Sequence, residues 1–298
     1  MGQGRASTWS HTTRRLREAH VYHAWRQLRM SPQYRRARLQ TMARLARWGA
    51  HCLTGHPVVV TLRQWGCRIC LPPGVRLGST AIFLFREDYE PELRYLERFL
   101  SPGDTFIDVG ASVGLYTVVA STLVGARGRV LAFEPASEIY PVLRRNAAIN
   151  GTSNVTTFNA AVSDQPGTAR LFHITGASLY SLGERAGHDD SFEEVRVTTL
   201  DEVVGQMGLD SVACIKIDVE GAEALVLRGA SQTLARFRPT VLFEANSYAA
   251  SRFDGGGPGP VELLSRLGYR FEVAGPDGPV PMTSLPDAAN VVAVPPLG

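Results

Sequence analysis

From residue 105 onward the chain alternates short apolar runs with longer segments whose apolar positions recur every three or four residues. Thr105–Val109 and Arg129–Phe133 read as buried strands, each followed by a helical pattern, Gly114–Val124 and Ser137–Asn150. Val155–Ala161, Val212–Asp218 and Val241–Ala245 predict the third, fourth and fifth strands. Residues 168–174 and 193–199 predict two extra strands joined by the loop Thr175–Ser191. Asp201–Met207, Ala222–Phe237 and Val261–Leu267 predict helices, and Tyr269–Val273 and Asn290–Val294 the closing strands. Near-continuous apolar strands separated by helices imply an α/β fold, Rossmann-like, with a seven-stranded, mostly parallel sheet covered by helices on both faces.

The front of the chain has a different pattern. Residues 1–13 are polar and aperiodic, which predicts disorder. Residues 14–48 have helical spacing: Tyr22, Trp25 and Leu28 form one stripe and Leu39, Met42 and Leu45 another, with Ser31-Pro32 starting a second helix. Residues 58–71 and 75–85 predict short strands separated by Pro72-Pro73-Gly74, and Glu90–Leu100 predicts a helix stopped by Ser101-Pro102-Gly103. The domain division that follows is a disordered 1–13, an N-terminal helical and β-hairpin extension over 14–88, and a main domain over 89–298.

Charge separates the same two regions. Residues 1–50 hold eleven arginines and one acid, Glu18, while the whole chain of 298 residues carries a net charge of only +3, so the remainder is acidic. No run of 18 apolar residues occurs, which excludes a single apolar membrane span. The Arg-rich start has no signal-peptide core, and the expected location is the cytoplasm. Trp25, Leu28, Met42 and Leu45 need burial, which favours a helical cap over a membrane-surface, nucleic-acid or transit role for this segment. Cys67 and Cys70 form a C-x-x-C, but on a strand residues three apart point to opposite faces and no second pair follows. Two packed thiols, with no metal, is the expectation.

The chemistry lies at strand ends. Phe106–Gly114 (FIDVGASVG) is a strand running into a glycine-bearing turn, and Arg129–Pro135 (RVLAFEP) is a strand ending in Glu134, 24 residues after Gly110. An acid there can accept hydrogen bonds from both hydroxyls of a ribose. A dinucleotide fingerprint needs a middle glycine for its pyrophosphate, and Ser112 occupies that place. The pattern therefore points to S-adenosylmethionine rather than a nicotinamide, with Asp108 suited to the ligand's positive end.

These segments, with NAAVSD (159–164), TTLDEV (198–203), IKIDVEGAE (215–223) and NVVAVP (290–295), resemble the FkbM-type methyltransferase family, in order, over Tyr89 to Pro295. The resemblance implies a class I methyltransferase fold. It implies S-adenosyl-L-methionine as cofactor, held by Asp108, Gly110, Ala111, Gly114, Glu134, Pro135, Ala161, Asp164 and Asp218. It also implies a hydroxyl on a small natural product or sugar as acceptor. The rival functions are 2′-O-methylation of RNA and a non-enzymatic nucleotide- or membrane-binding module built on the basic helix. No stable nucleic-acid or membrane partner is expected.

One compositional fact singles out the fourth strand. The chain has thirty arginines and a single lysine, Lys216. Lys216 and Asp218 share a face of that strand and Ile215 and Ile217 the other. A buried charge has to be paired, so Lys216 is expected to neutralise Asp218, Glu244 or both. Lys216, Asp218, Glu220 and Glu244 are the candidate catalytic residues, with His173 and His188 in the loop region as further bases. A lysine among the acids argues against Mg²⁺ there.

Overall fold

The computed structural model describes residues 34–35, 37–72, 77–174, 179–182, 191–246, 258–273, 275, 278–284 and 288–296. The expectations for residues 1–33, and for His188, lie outside them.

Helix α1 (Arg38–Thr54) turns Thr41 and Trp48 inward and ends at Gly55, whose φ of 70° closes it. Strands β1 (Val58–Leu62) and β2 (Cys67–Leu71) pair antiparallel, and both Cys67 and Cys70 are buried, unbonded thiols. The segment expected to be a strand at 75–85 is instead helix α2 (Leu77–Phe85). Its apolar run is too short for periodicity to decide. Phe83 packs on Trp48 with ring centroids 5.1 Å apart, and Arg44 donates to the Leu84 carbonyl at 2.6 Å. The helix expected over Glu90–Leu100 divides into a 3₁₀ turn, Pro91–Tyr95, and α3 (Leu96–Phe99).

The chain then runs β3 (Thr105–Val109), α4 (Leu115–Val124), β4 (Arg129–Phe133), α5 (Tyr140–Ile149) and β5 (Val155–Phe158). The expected third strand is broken at Asn159, whose side-chain amide donates to the carbonyls of Glu134 and Pro135. The chain leaves the main sheet there for β6 (Ala161–Val162), β7 (Gly167–Ile174), β8 (Leu179–Ser181) and β9 (Phe192–Thr198), which form a separate sheet. Next come α6 (Leu200–Gln206), β10 (Cys214–Ile217), α7 (Glu223–Arg228) and α8 (Ser231–Phe237). The helix expected over Ala222–Phe237 breaks between α7 and α8, where the Gly229 carbonyl accepts from the Asp201 amide at 2.9 Å instead of continuing the helix. The Gly229 backbone lies against Ser163, where a Cβ would come within 2.0 Å of the Ser163 carbonyl oxygen. The Asp201 carboxylate then caps α8 through the backbone amides of Gln232 and Thr233.

After β11 (Thr240–Asn246) come α9 (Pro260–Arg266), β12 (Arg270–Val273), β13 (Val280–Pro281) and β14 (Ala288–Val294). The main sheet has the order β13-β12-β14-β11-β10-β3-β4-β5. The five strands β11, β10, β3, β4 and β5 are mutually parallel, and β14 is antiparallel to both its neighbours. The expected seven strands are present, with the short β13 added at one edge. Side chains alternate between two cores. Phe106, Val130, Cys214 and Leu242 pack on the hairpin side, and Ile107, Leu131, Ile215 and Phe243 on the other. Strand order reverses between β3 and β10, and a ligand crevice forms beyond the carboxyl ends of strands at such a point. Among the described residues no helix is long and apolar enough to cross a membrane.

Asn146, fully buried on α5, ties the N-terminal hairpin to this crevice. Its Oδ1 accepts from the Cys70 amide at 2.6 Å, and its Nδ2 donates to the Cys70 carbonyl and, at 2.7 Å, to the Val113 carbonyl. Asn146→Ala leaves three buried backbone groups without partners, each costing about 1–3 kcal/mol before relaxation. The expected loss of stability is roughly 2–4 kcal/mol, measured as a lower urea midpoint.

Candidate active site

The turn after β3 is closed by backbone. The amides of Gly110 and Ala111 both donate to the Phe133 carbonyl, at 3.0 and 2.9 Å. Gly110 has φ 77°, and a Cβ on it would lie 1.9 Å from the Asp218 carbonyl oxygen. Only glycine lets β3 and β10 deliver their loops so close together. Ser112 also has positive φ, at 50°, and points its amide at Glu134.

Glu134 ends β4 with both carboxylate oxygens engaged: Oε2 accepts from the Ser112 amide and Oε1 from the Ala136 amide, each at 2.9 Å. Each oxygen keeps a further lone pair for a ligand. Burial pushes its pKa up to about 7, against the pull of those two amides.

Lys216 is the centre of the polar network. Its register partner on β3 is Asp108. The ammonium lies 3.1 Å from Asp218 Oδ2 and 3.9 Å from Asp108 Oδ1, donates weakly to the Gly110 carbonyl at 3.4 Å, and sits over the Tyr116 ring, 4.9 Å from its centroid. Burial lowers the lysine pKa, but Asp218, Asp108 and Glu90 together outweigh it and hold Lys216 protonated, above its ordinary value. The expected pairing with Asp218 is present. The second acid is Asp108 rather than Glu244, whose carboxylate instead accepts from Asn246 at 3.5 Å.

A cavity of about 510 Å³ opens at this edge, within the size range of small-molecule sites. Gly110, Ala111, Glu134, Pro135, Ala161, Lys216, Asp218, Glu220 and Glu244 line it. Three expected cofactor residues do not. Asp108 is wholly buried beneath the wall, accepting from the Thr117 hydroxyl at 2.6 Å, and burial raises its pKa while Lys216 restrains it. Gly114 caps α4 with φ 88°, where a Cβ would press on Leu143. Asp164 pairs with Arg228 at 3.2 Å, away from the cavity. The strand bearing His173 lies in the smaller sheet.

The wall also holds residues that the sequence reading passed over. Tyr89 and Glu90 come from the segment before the 3₁₀ turn, Tyr116 from α4 and Asn290 from β14. Burial pushes Glu90 up to about 7, with Lys216 and the Tyr116 hydroxyl pulling the other way. Glu223, quoted only as part of a motif, supports the loop from below: its Oε1 accepts from the amides of Val219 and Gly221, at 3.2 and 3.1 Å. That bracing holds Glu220 at φ 56° in the wall. Among the described residues, no three His, Cys, Asp or Glu side chains converge as metal ligands.

A mostly parallel sheet with the antiparallel β14 set between β11 and β12, a glycine turn after β3 and an acid after β4 give the frame of a Rossmann-like methyltransferase. A family model, the methyltransferase FkbM domain, matches residues 108–271, more than half the chain, and the protein belongs to that family. It is similar to the AMB antimetabolite synthetase AmbE of Pseudomonas aeruginosa, 28% identical over 67% of this chain and 11% of the relative. It is also similar to the 31-O-demethyl-FK506 methyltransferase FkbM of Streptomyces tacrolimicus, 31% identical over 58% of this chain and 76% of the relative. The chain thus spans a small fraction of the first relative and about three quarters of the second. Among solved structures, a methyltransferase FkbM from Methylobacillus flagellatus aligns with a TM-score of 0.42 at 15% identity, over 72% of this chain and 53% of that one.

Lys216→Met strands Asp108 in the core with no counter-charge, and removing one partner of a buried pair costs about 3–5 kcal/mol. Without the lysine the Asp108 pKa rises further, so the folded state favours its protonated form. The stability difference from wild type should therefore widen as pH rises through that pKa, measured as melting temperatures at pH 6 and pH 9.

Proposed function

We propose that this protein is an S-adenosylmethionine-dependent O-methyltransferase acting on a hydroxyl of a small molecule, a natural product or a sugar. The observation that carries the reading is Glu134, held at the end of β4 in the wall of the same cavity as Lys216 and Asp218. The residues fit the cofactor: Glu134 has carboxylate lone pairs for ribose hydroxyls, Pro135 and Ala161 give apolar wall, and the cavity lining is rich in acids, which suits a sulfonium. The cofactor supplies an electrophilic methyl group. The chain's part is positioning: Gly110 brings the two strand-end loops together, and the Lys216–Asp218 pair fixes the polar end of the cavity.

The family supports methyl transfer, and the two relatives, an FK506 methyltransferase and an antimetabolite synthetase, favour a natural-product acceptor. The lining supports a small, non-phosphorylated acceptor over RNA. Among the described residues, Glu90, Glu134, Asp218, Glu220 and Glu244 share the wall with Lys216, and such a wall repels a phosphate backbone.

Titration calorimetry should show S-adenosylhomocysteine binding in the micromolar range and NAD binding far more weakly; equal affinities would contradict the reading. Glu134→Ala should weaken binding roughly 10- to 100-fold with the fold intact. Ribose recognition needs the ionised carboxylate, and burial pushes Glu134 up to about 7. Affinity should therefore fall as pH drops below about 7, up to tenfold per pH unit, and Glu134→Gln should flatten that dependence.

A further inference from the structure

Glu90 stands in the cavity wall on a segment that precedes the region matched by the family model. Its backbone is extended (φ −122°, ψ 98°), and Pro91 starts the 3₁₀ turn behind it. Three elements meet in the wall around it. The segment brings Glu90, α4 brings Tyr116, and β10 brings Lys216, whose ammonium rests on the Tyr116 ring. The other charged groups acting on it are Asp218 from β10 and Glu92 from its own segment, while Tyr89 and Glu244 share the wall.

Of the neighbouring carboxylates, Glu220 is held by the turn that Glu223 braces, and Glu244 accepts from Asn246 at 3.5 Å. Asp218 is ion-paired to Lys216 at 3.1 Å, Asp108 lies outside the wall, and both oxygens of Glu134 accept backbone amides. Lys216 is held protonated and takes no proton.

We propose that Glu90 is the proton acceptor of the transfer, an assignment that rests on the O-methyltransferase reading above. Its carboxylate takes the proton of the acceptor hydroxyl as that oxygen's lone pair forms the bond to the methyl carbon and the carbon–sulfur pair returns to sulfur. The products are a methyl ether, a neutral thioether and the Glu90 carboxylic acid, which gives its proton to water. Burial first, and Asp218 after it, raise Glu90 to about 7 against Lys216 and Tyr116. A base titrating near the working pH balances ionised fraction against basicity.

The test compares wild type with Glu90→Gln and Glu90→Asp by three readouts. In the free protein, the difference infrared spectrum of wild type minus Glu90→Gln should show a protonated carboxyl band that disappears as pH rises through about 7; its absence overturns the proposal. In calorimetry, Glu90→Gln should bind S-adenosylhomocysteine within about threefold of wild type. No binding by wild type would overturn the cofactor reading itself, whereas binding lost only in Glu90→Gln would make Glu90 a cofactor ligand and overturn its assignment as the base. In methyl transfer from tritiated S-adenosylmethionine, saturating at every pH so that Glu134 ionisation does not enter, to a panel of secondary alcohols and phenols, the wild-type rate should rise through pH 7. Glu90→Gln should fall by about 100- to 10,000-fold and lose the inflection, with Glu90→Asp partly restoring both. A Glu90→Gln rate equal to wild type, with its inflection kept, overturns the proposal.

Discussion

The site depends on one cation held among acids. Lys216 sits opposite Asp108 across the β3–β10 pair, bonds Asp218 at the end of its own strand and rests on Tyr116. Taking these charges out of water costs several kcal/mol each, and mutual attraction offsets that only if the geometry is tight. The fold supplies it. The two central strands are parallel and in register, and Gly110 lets the loop after one strand touch the loop after the other. A wider guanidinium would not fit the same volume, which gives a physical reason for a lysine in a chain that otherwise uses arginine.

The network also divides the labour among the wall carboxylates of the described residues. Backbone amides fix Glu134, Lys216 fixes Asp218, and the bracing of Glu223 fixes the turn that carries Glu220. Glu90 and Glu244 remain at the polar end, both with pKa raised by burial. A lining of this kind receives a positive or neutral ligand more readily than an anion.

The central strands were legible in the sequence because buried parallel strands are continuous apolar runs bounded by turn residues, as in β3, β4 and β10. Gly110, Glu134, Lys216 and Asp218 were legible because each lies at or next to a strand end whose chemistry is local. What could not be read depends on tertiary packing. The apolar run before Phe85 was expected to be a strand, and it is a helix because Trp48 and Arg44 of α1 meet it there. The helix after Ala222 breaks because Asp201, distant in sequence, takes the Gly229 carbonyl and the Gln232 and Thr233 amides. Asp108 follows the strand pattern yet lies under the wall, since on a central strand the alternation that pairs it with Lys216 also buries it. Glu90 and Tyr116 carry no local signal, and they matter only once the segment before β3 docks across the strand ends.

The most direct test is a crystal structure with S-adenosylhomocysteine. The account predicts ribose hydroxyls within hydrogen-bond distance of Glu134, the thioether sulfur directed toward the Lys216–Asp218 end, and that ion pair intact. A nucleoside bound elsewhere, with Glu134 contacting only the amides of Ser112 and Ala136, would contradict it.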